Sequence, residues 1–454
     1  GRGGAGFPTG TKWRTVAAHR APSLPTSVVV NAAEGEPGTF KDRLLLRDVP
    51  YAVIEGALIA AHAVGAEQLV IAAKAADHQV LDRVRSSVAE MSEAGLLASV
   101  GVAVVAGPDE YLVGEETALL EVVDGRPPLP RIAPPFRRGV IEVVDEDAVG
   151  SGSGPARPVE MAGPGPETLA PPSLVNNVET LANVPQIIAR GAAWFRSVGT
   201  EGSPGTILCT VTGDVARPGV AEIAMGTPLS AAIAEVTGDG ARAVTDLPQE
   251  SAATPSPPPV KTVLNGVSGA PLPAALLDTP LTYEDMAAAG SGLGTASLQV
   301  VAEGADLTAV AAGAARFLAV ESCGQCTPCK EDGLRLTGAL ERLCRNEGDH
   351  TDLEAIDRAL VTVADGARCN LASQQQVVVG QLVHLYRDEL EAHAEAALPA
   401  VEPTFVSEIR DVIDDQVVLD EGRRGKQPDW THDEPWSGLT PVDRLLGERH
   451  PERS

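Results

Sequence analysis

Three near-continuous apolar runs, separated by helical stretches, constrain this chain most. "SVVVNAAEG" (27–35), "EQLVIAAKA" (67–75) and "VGVAVVAG" (100–107) read as strands buried on both faces. Between them, "VIEGALIAAHAVGA" (53–66) has helical spacing and a closing Gly65, and "HQVLDRVRSSVAEM" (78–91) forms a second helix. Strands that alternate with helices predict an α/β domain over residues 1 to about 140. Its sheet is mainly parallel and covered on both sides. Ligands of such sheets favour the carboxyl ends of the strands. Asn31–Gly38 and Gly107–Glu116 both lie just after strands.

The chain has 454 residues, enough for two to four domains. Its formal net charge of −27 argues against non-specific nucleic-acid binding, which needs Lys and Arg to neutralise phosphates. No run of roughly 18 uncharged apolar residues predicts a spanning helix. Nothing at the start reads as a secretory signal. The chain begins inside a motif at Gly1, so a preceding segment is expected.

Residues of about 141–170 are rich in Gly, Pro and Ser and read as a mobile insertion. Residues of about 174–197 look helical. From about 204 to 302, β-type runs such as "TILCTVTG" and "KTVLNGV" surround a short helix, which predicts a small α+β domain. The loop "DLPQESAATPSPPP" (246–259) interrupts it. A helical bundle is expected from about 307 to 395. A polar remainder follows, either a disordered tail or a strap on the body.

The six cysteines are Cys209, Cys323, Cys326, Cys329, Cys344 and Cys369. So few in so long a chain suit metal or redox chemistry better than a disulfide framework. "SCGQCTPCK" spaces three of them C-x-x-C-x-x-C, and "ARCNLA" supplies Cys369 farther on. Three soft thiolates on one short segment, plus a fourth from afar, suit a [4Fe-4S] cluster. Zinc, which more often takes two separated C-x-x-C pairs, is the alternative, as are inert buried thiols. Cys344 competes as the fourth ligand, but its amphipathic helical setting reads as a buried free cysteine, as does the β-type setting of Cys209.

"GRGGAG" at the start fits G-x-G-x-x-G, a weak pattern without a preceding strand. Bare backbone there would let a flat or phosphorylated ligand approach closely, and Lys12 offers a charge for a phosphate. An ordinary turn and a solvated lysine are the plainer alternatives. "NAAEGEPGTFKDR" puts Asn31, Glu34 and Glu36 in one tight loop. Glu115 and Glu116, and Asn176 and Asn177, each precede helical runs, where capping explains them equally well.

Five segments in order, "GRGGAGFPTGTKW", "EPGTFKDR", "GEETALLE", "VNNVETLANVP" and "ESCGQCTPCKEDGLRL", together resemble one family. It comprises the flavin-bearing, NADH-oxidising F subunit of respiratory complex I and the diaphorase subunits of NAD-linked hydrogenases and formate dehydrogenases. The resemblance runs from residue 1 to about 390. It implies an FMN- and NADH-binding α/β domain over 1–200, a ubiquitin-like SLBB domain over 204–303, a helical [4Fe-4S] domain over 304–398, and a polar tail over 399–454. It implies that Gly1, Gly3, Gly4 and Gly6 line a shared FMN and NADH cavity. Lys12 would meet the FMN phosphate, Asn31 its ribityl or phosphate portion, and Asn176 and Asn177 also FMN. Glu36 and Glu116 would lie beside the nicotinamide and ribose of NADH. Phe7 and Phe136 would stack near adenine. Glu34, Tyr111, Gly114 and Glu115 would complete the cofactor site, and Cys323, Cys326, Cys329 and Cys369 would hold the cluster.

The implied activity is hydride transfer from NADH to FMN, then single electrons through the cluster to a [2Fe-2S] or ferredoxin-like partner in a larger redox complex. The hard chemistry is then the cofactors' own, no protein nucleophile is expected, and Glu116 positions NADH. A cytoplasmic location, or one peripheral to a membrane complex, goes with this. A stand-alone NAD(P)H–ferredoxin reductase and a degenerate cluster-binding scaffold are the competing expectations. The chain departs from the family pattern at Ala33, where an acidic residue is usual, at Asp109 and Glu110, where small residues are usual, and at Thr15, which replaces an aromatic. These departures suggest a divergent paralogue.

Overall fold

The computed structural model describes residues 1–21, 23–132, 171–238, 259–432 and 434–447. Phe136, the insertion expected over about 141–170 and nearly all of the loop over 246–259 lie outside the described residues. The chain divides into two units, Gly1–Gly35 with Lys41–Ala192, and Glu36–Phe40 with Ala193–Ser454.

In the first unit α1 (Thr9–Ala18) precedes β1 (Ser27–Ala32). α2 (Lys41–Asp48) and α3 (Pro50–Val64) lead to β2 (Gln68–Lys74), and α4 (His78–Glu93) leads to β3 (Gly101–Gly107). A 3-10 turn at Tyr111–Gly114 runs into α5 (Glu116–Val123), and β4 (Ser173–Asn177) into α6 (Val178–Arg190). The four strands are parallel, in the order β3-β2-β1-β4. Val28, Val30, Leu69 and Ile71 point to a core shared with α3, α4 and α6. Val29, Val70, Ala72 and Val175 point the other way, onto Leu119 and Leu120 of α5. Both faces are therefore covered, as the unbroken apolar runs require.

One local expectation is corrected. The stretch from about 174 begins as a strand, and its helix starts only at Val178. Ser173–Asn177 lies in register beside Ser27–Asn31, and the two serine hydroxyls meet at 2.7 Å. A free ladder along β1 outweighs the local helical pattern there.

A short α7 (Ala192–Phe195) begins at the last residue of the first unit, and the second unit continues with β5 (Thr206–Gly213), β6 (Gly219–Ala224), α8 (Leu229–Thr237), β7 (Val260–Asn265), β8 (Gly269–Pro273), α9 (Tyr283–Ala288) and β9 (Ser297–Ala302). They make a five-stranded sheet in the order β6-β5-β9-β7-β8, with β5 and β9 parallel. Its core includes Ile207, Cys209, Val211, Ile233 and Leu298. Then come α10 (Leu307–Glu321), α11 (Thr327–Cys344), α12 (His350–Thr362), α13 (Leu371–Gln374), a π-turn at Gln375–Val379, α14 (Gly380–Leu385) and α15 (Arg387–Ala394).

The segment after residue 398 is a folded strap with a hairpin, β10 (Ile409–Ile413) and β11 (Gln416–Leu419), and a last helix, α16 (Pro441–Gly447). Buried charges fasten it to the end of α10. Arg423 bridges Glu321 at 2.6 Å and Glu408 at 2.7 Å, and the Lys426 ammonium donates to both Glu321 oxygens. Trp430 Nε1 donates to the Val320 carbonyl, and Val442 N–H to the Cys323 carbonyl. Polar composition in this segment thus reflects internal pairing as well as contact with water. Among the described residues, no helix is long and apolar enough to cross a membrane.

Candidate functional site

In the first sheet, β2 and β3 lie on one side of β1 and β4 on the other. The strand order reverses between β1 and β4, the point at which sheets of this kind take their ligands, at the carboxyl ends of the strands. Asn31 ends β1, and Asn176 and Asn177 end β4. Asn31 Nδ2 donates to the Gly114 carbonyl at 2.8 Å, and its Oδ1 accepts from Ala33 N–H, so it ties the loop after β1 to the turn at Tyr111–Gly114.

Helix α1 is moored to β4 by two side chains. Lys12 Nζ donates to the Val175 carbonyl, and Trp13 Nε1 to Asn176 Oδ1 at 2.7 Å. Lys12 also pairs with Glu116 at 2.7 Å, and these two side chains are 24% and 27% exposed. Burial raises the Glu116 pKa, Lys12 opposes this, and Glu115 adds to it. Glu115 caps α5, accepting from Ala118 N–H and the Thr117 hydroxyl.

The glycine segment lies at the start of α6. Arg2 N–H donates to Thr180 Oγ1, and a Cβ on Gly3 would sit 2.9 Å from the Asn177 Cβ. Gly4 and Gly6 have φ of 104° and 63°, which a side chain would strain. Phe7 is 52% exposed.

Beneath lies a buried ionic network that sequence reasoning missed. Glu34 Oε1 accepts from the N–H groups of Lys41 and Asp42, and Oε2 from that of Arg43, so the carboxylate caps α2. The Arg43 guanidinium bonds Glu34 and Asp77. The Lys41 ammonium lies 2.8 Å from Asp42 and 2.9 Å from Glu179. Burial pulls the Lys41 pKa down, but Asp42, Glu179 and Glu34 more than reverse this and keep it charged. Asn177 joins the network: Nδ2 donates to Asp42, while Oδ1 accepts from Lys41 and caps α6 through Glu179 N–H and Thr180 N–H. The available signal was three successive charges, Lys41, Asp42 and Arg43, opening a helix shortly after Glu34.

Glu36 belongs to the second unit, where its Oε1 accepts from Val267 N–H at 2.7 Å. The loop that groups Asn31, Glu34 and Glu36 in sequence is therefore divided between the two units.

The cysteine trio joins α10 to α11. Cys323 and Cys329 are buried, Cys326 and Cys369 half-buried, and all six cysteines are free thiols. Arg368 N–H donates to Cys326 Sγ at 3.4 Å, which brings the Cys369 loop to the trio. Cys344 ends α11, fifteen residues beyond Cys329, hence about 22 Å away along the axis at 1.5 Å per residue. Burial pushes the Cys344 thiol up to about 12. Cys209 is fully buried in the second sheet. Burial likewise pushes Cys323 up to about 12 and raises Cys329; metal coordination would displace those protons. The buried Lys330 ammonium donates to the carbonyls of Ala319 and Ser322 beside the trio, and burial lowers its pKa to about 8. Among the described residues, no three His, Cys, Asp or Glu side chains form a tight group for a single metal ion. A cluster carries its own sulfide bridges and takes more widely spread thiolates. Soft donors, partly buried and approached by N–H groups, fit it.

Comparison with known proteins identifies the two regions. Residues 1–186 match the family model of the Nuo51 FMN-binding domain. Residues 309–393 match that of the NADH-ubiquinone oxidoreductase-F iron-sulfur binding region. The NADH-quinone oxidoreductase F 2 subunit of Rhizobium meliloti (strain 1021) is 35% identical over 409 residues, covering 87% of this chain and 86% of that protein. The corresponding F subunit of Mycobacterium bovis is 36% identical, covering 87% of this chain and 82% of its own length. A crystal structure of an NAD+-reducing [NiFe]-hydrogenase in its H2-reduced state superposes with a TM-score of 0.70 at 31% identity. The match covers 87% of this chain and 60% of that one, so this chain spans about three-fifths of the hydrogenase chain's length. The chain belongs to the family of NADH-quinone oxidoreductase F subunits.

Proposed function

We propose that this chain is an NADH:acceptor oxidoreductase subunit that holds FMN at the β1/β4 crevice and a [4Fe-4S] cluster on Cys323, Cys326, Cys329 and Cys369. The observation that carries this is the convergence of Lys12, Asn31, Glu116 and Asn176 at the one point of the sheet where topology opens a ligand crevice. When bound, the flavin supplies two-electron acceptance with one-electron release, and the cluster supplies one-electron transfer.

The chain's own residues bind and orient. Lys12 gives its ammonium to the flavin phosphate, so anion binding competes with its bond to Glu116. Glu116, released, meets the ribose side of NADH. Gly1, Gly3, Gly4 and Gly6 leave room for stacked rings, with Phe7 offering an exposed aromatic face for adenine. Asn31, Asn176 and Asn177 present polar groups to the flavin's polar edge. Tyr111 and Gly114 form the wall that Asn31 fastens, and Glu34 and Glu115 fix the helix starts on either side.

The five-stranded sheet, over about 204–303, is read as a ubiquitin-like SLBB domain. An antiparallel pair, a helix and a central parallel β5/β9 pair support that reading. The helices over 304–398 form the cluster domain. A [2Fe-2S] or ferredoxin-like subunit in a larger complex takes the electrons, at a cytoplasmic site or on the periphery of a membrane complex.

The test is anaerobic addition of NADH to the chain reconstituted with FMN, iron and sulfide. The flavin band and the iron–sulfur shoulder should both bleach, and a dye acceptor should be reduced. A loaded chain that NADH leaves unbleached sinks the proposal. Iron loss in Cys369→Ala but not in Cys344→Ala is expected; the reverse overturns the ligand set. Copurification with a small ferredoxin alone would favour the stand-alone reductase.

A further inference from the structure

Gln375 opens the π-turn between α13 and α14 and is fully buried. An extra residue in a helical turn re-aims the side chains around it, and such turns gather at functional sites. The carboxamide Nε2 of Gln375 lies 3.1 Å from the Cys329 carbonyl and 3.5 Å from Cys329 Sγ. Its two N–H bonds thus reach the backbone and the sulfur of one cysteine. Its Oε1 has no hydrogen-bond partner among the described residues. The amide therefore gives up the solvation of its own oxygen to aim its donors, an arrangement that costs stability unless it serves something else.

Gly333 on α11 makes the space. A Cβ there would press on the Gln375 oxygen and stand 3.1 Å from Cδ and Nε2. The Ser322 hydroxyl approaches the same Cys329 sulfur at 3.2 Å. Cys323 differs, since its thiol meets an acceptor, Gln325 Oε1.

We infer that Gln375 is a positioning residue whose amide N–H on Cys329 Sγ raises the reduction potential of the cluster site. This rests on the proposed ligand set. A donor aimed at a thiolate stabilises negative charge, and the reduced state carries one more negative charge than the oxidised state. No bond forms or breaks and no proton moves. One electron arrives, drawn from NADH in the proposed reaction.

The test is an anaerobic redox titration of the reconstituted full chain, followed by electron paramagnetic resonance, with iron and sulfide assayed on each sample. Gln375→Met keeps the volume and removes the donor. It should hold full iron while its reduction equilibrium moves about tenfold toward the oxidised state, ~59 mV for one electron. Gly333→Ala, which displaces the amide from the neighbouring helix, should shift the potential the same way. Full iron with an unmoved potential in Gln375→Met overturns the inference. If Gln375→Met loses its iron, the potential of Gly333→Ala decides in its place, lowered in support or unmoved against. A Cys329→Ser chain with unchanged iron, spectrum and potential would instead remove Cys329 from the ligand set, and Gln375 with it. That outcome is distinct from a failure of Gln375 alone.

Discussion

Two sets of opposite charges stand at the same end of the first sheet, and they differ in what surrounds them. Lys41, Arg43, Glu34 and Asp42 are buried and held by several partners, and Glu179, also buried, pairs with Lys41. Lys12 and Glu116 are about one-quarter exposed and share one ion pair. A buried network is rigid because every displaced partner leaves an uncompensated charge. A half-exposed pair can exchange partners at small cost, because water and ligand can both replace what is lost. The first therefore suits a scaffold at this end of the sheet, and the second suits the anion contact proposed for Lys12.

Breaking the buried set should give the largest effect. Arg43→Met strands Glu34 and Asp77 and should cost about 3–5 kcal/mol of stability in denaturant unfolding. A loss below about 1 kcal/mol would mean that water reaches these carboxylates and that the contrast is false. Asn177→Ala comes next. It removes the α6 cap and the bond to Asp42, for about 2 kcal/mol in the same measurement. Flavin affinity should fall alongside only if Asn177 also meets the ligand.

Lys12→Met tests the exposed pair. Stability should barely change, since surface ion pairs are worth about 0–1 kcal/mol. FMN affinity, read by quenching of flavin fluorescence, should fall about tenfold once a charge-assisted hydrogen bond to the phosphate is removed. A large loss of stability with unchanged affinity would move Lys12 into the scaffold.

The same contrast shows what the sequence could carry. The parallel sheet was legible because runs such as Val28–Val30 and Leu69–Ile71 have no polar face to expose. β4 was not, because "SLVNN" is short, ends in two polar residues and leads into a helix; only the ladder along β1 makes it a strand. The C-x-x-C-x-x-C trio stood out by its spacing, whereas Gln375 depends on a π-turn that no periodicity announces. The strap was open to two readings because Arg423 and Lys426 look like solvated charges until Glu321, a hundred residues earlier, is placed beside them. Glu34 and Glu36 stand two apart in sequence yet fall in different units. Proximity in sequence says little once the chain leaves one core for another.

The smallest expected effect is the sharpest test of the exposed pair, because it is a slope and not a loss. Burial raises the Glu116 pKa in the folded chain, with Lys12 opposing it. Between the ordinary carboxylate range and that raised value, the folded state holds a proton that the unfolded state has released. Stability must then fall as pH rises through this window: the contribution is complete below the unfolded pKa and is lost above the folded one. Glu116→Gln cannot titrate, so its stability relative to the unsubstituted chain should climb as pH rises from the acid range toward neutrality. FMN affinity should follow the same course, since ionised Glu116 competes with the phosphate for Lys12, and a glutamine there does not. Denaturant unfolding and flavin titration at several pH values read both slopes. Parallel profiles for the two chains would mean that Glu116 is charged throughout. The pair would then be a fixed strut like those of Arg43, and the distinction between scaffold and site at this end of the sheet would have to be drawn elsewhere.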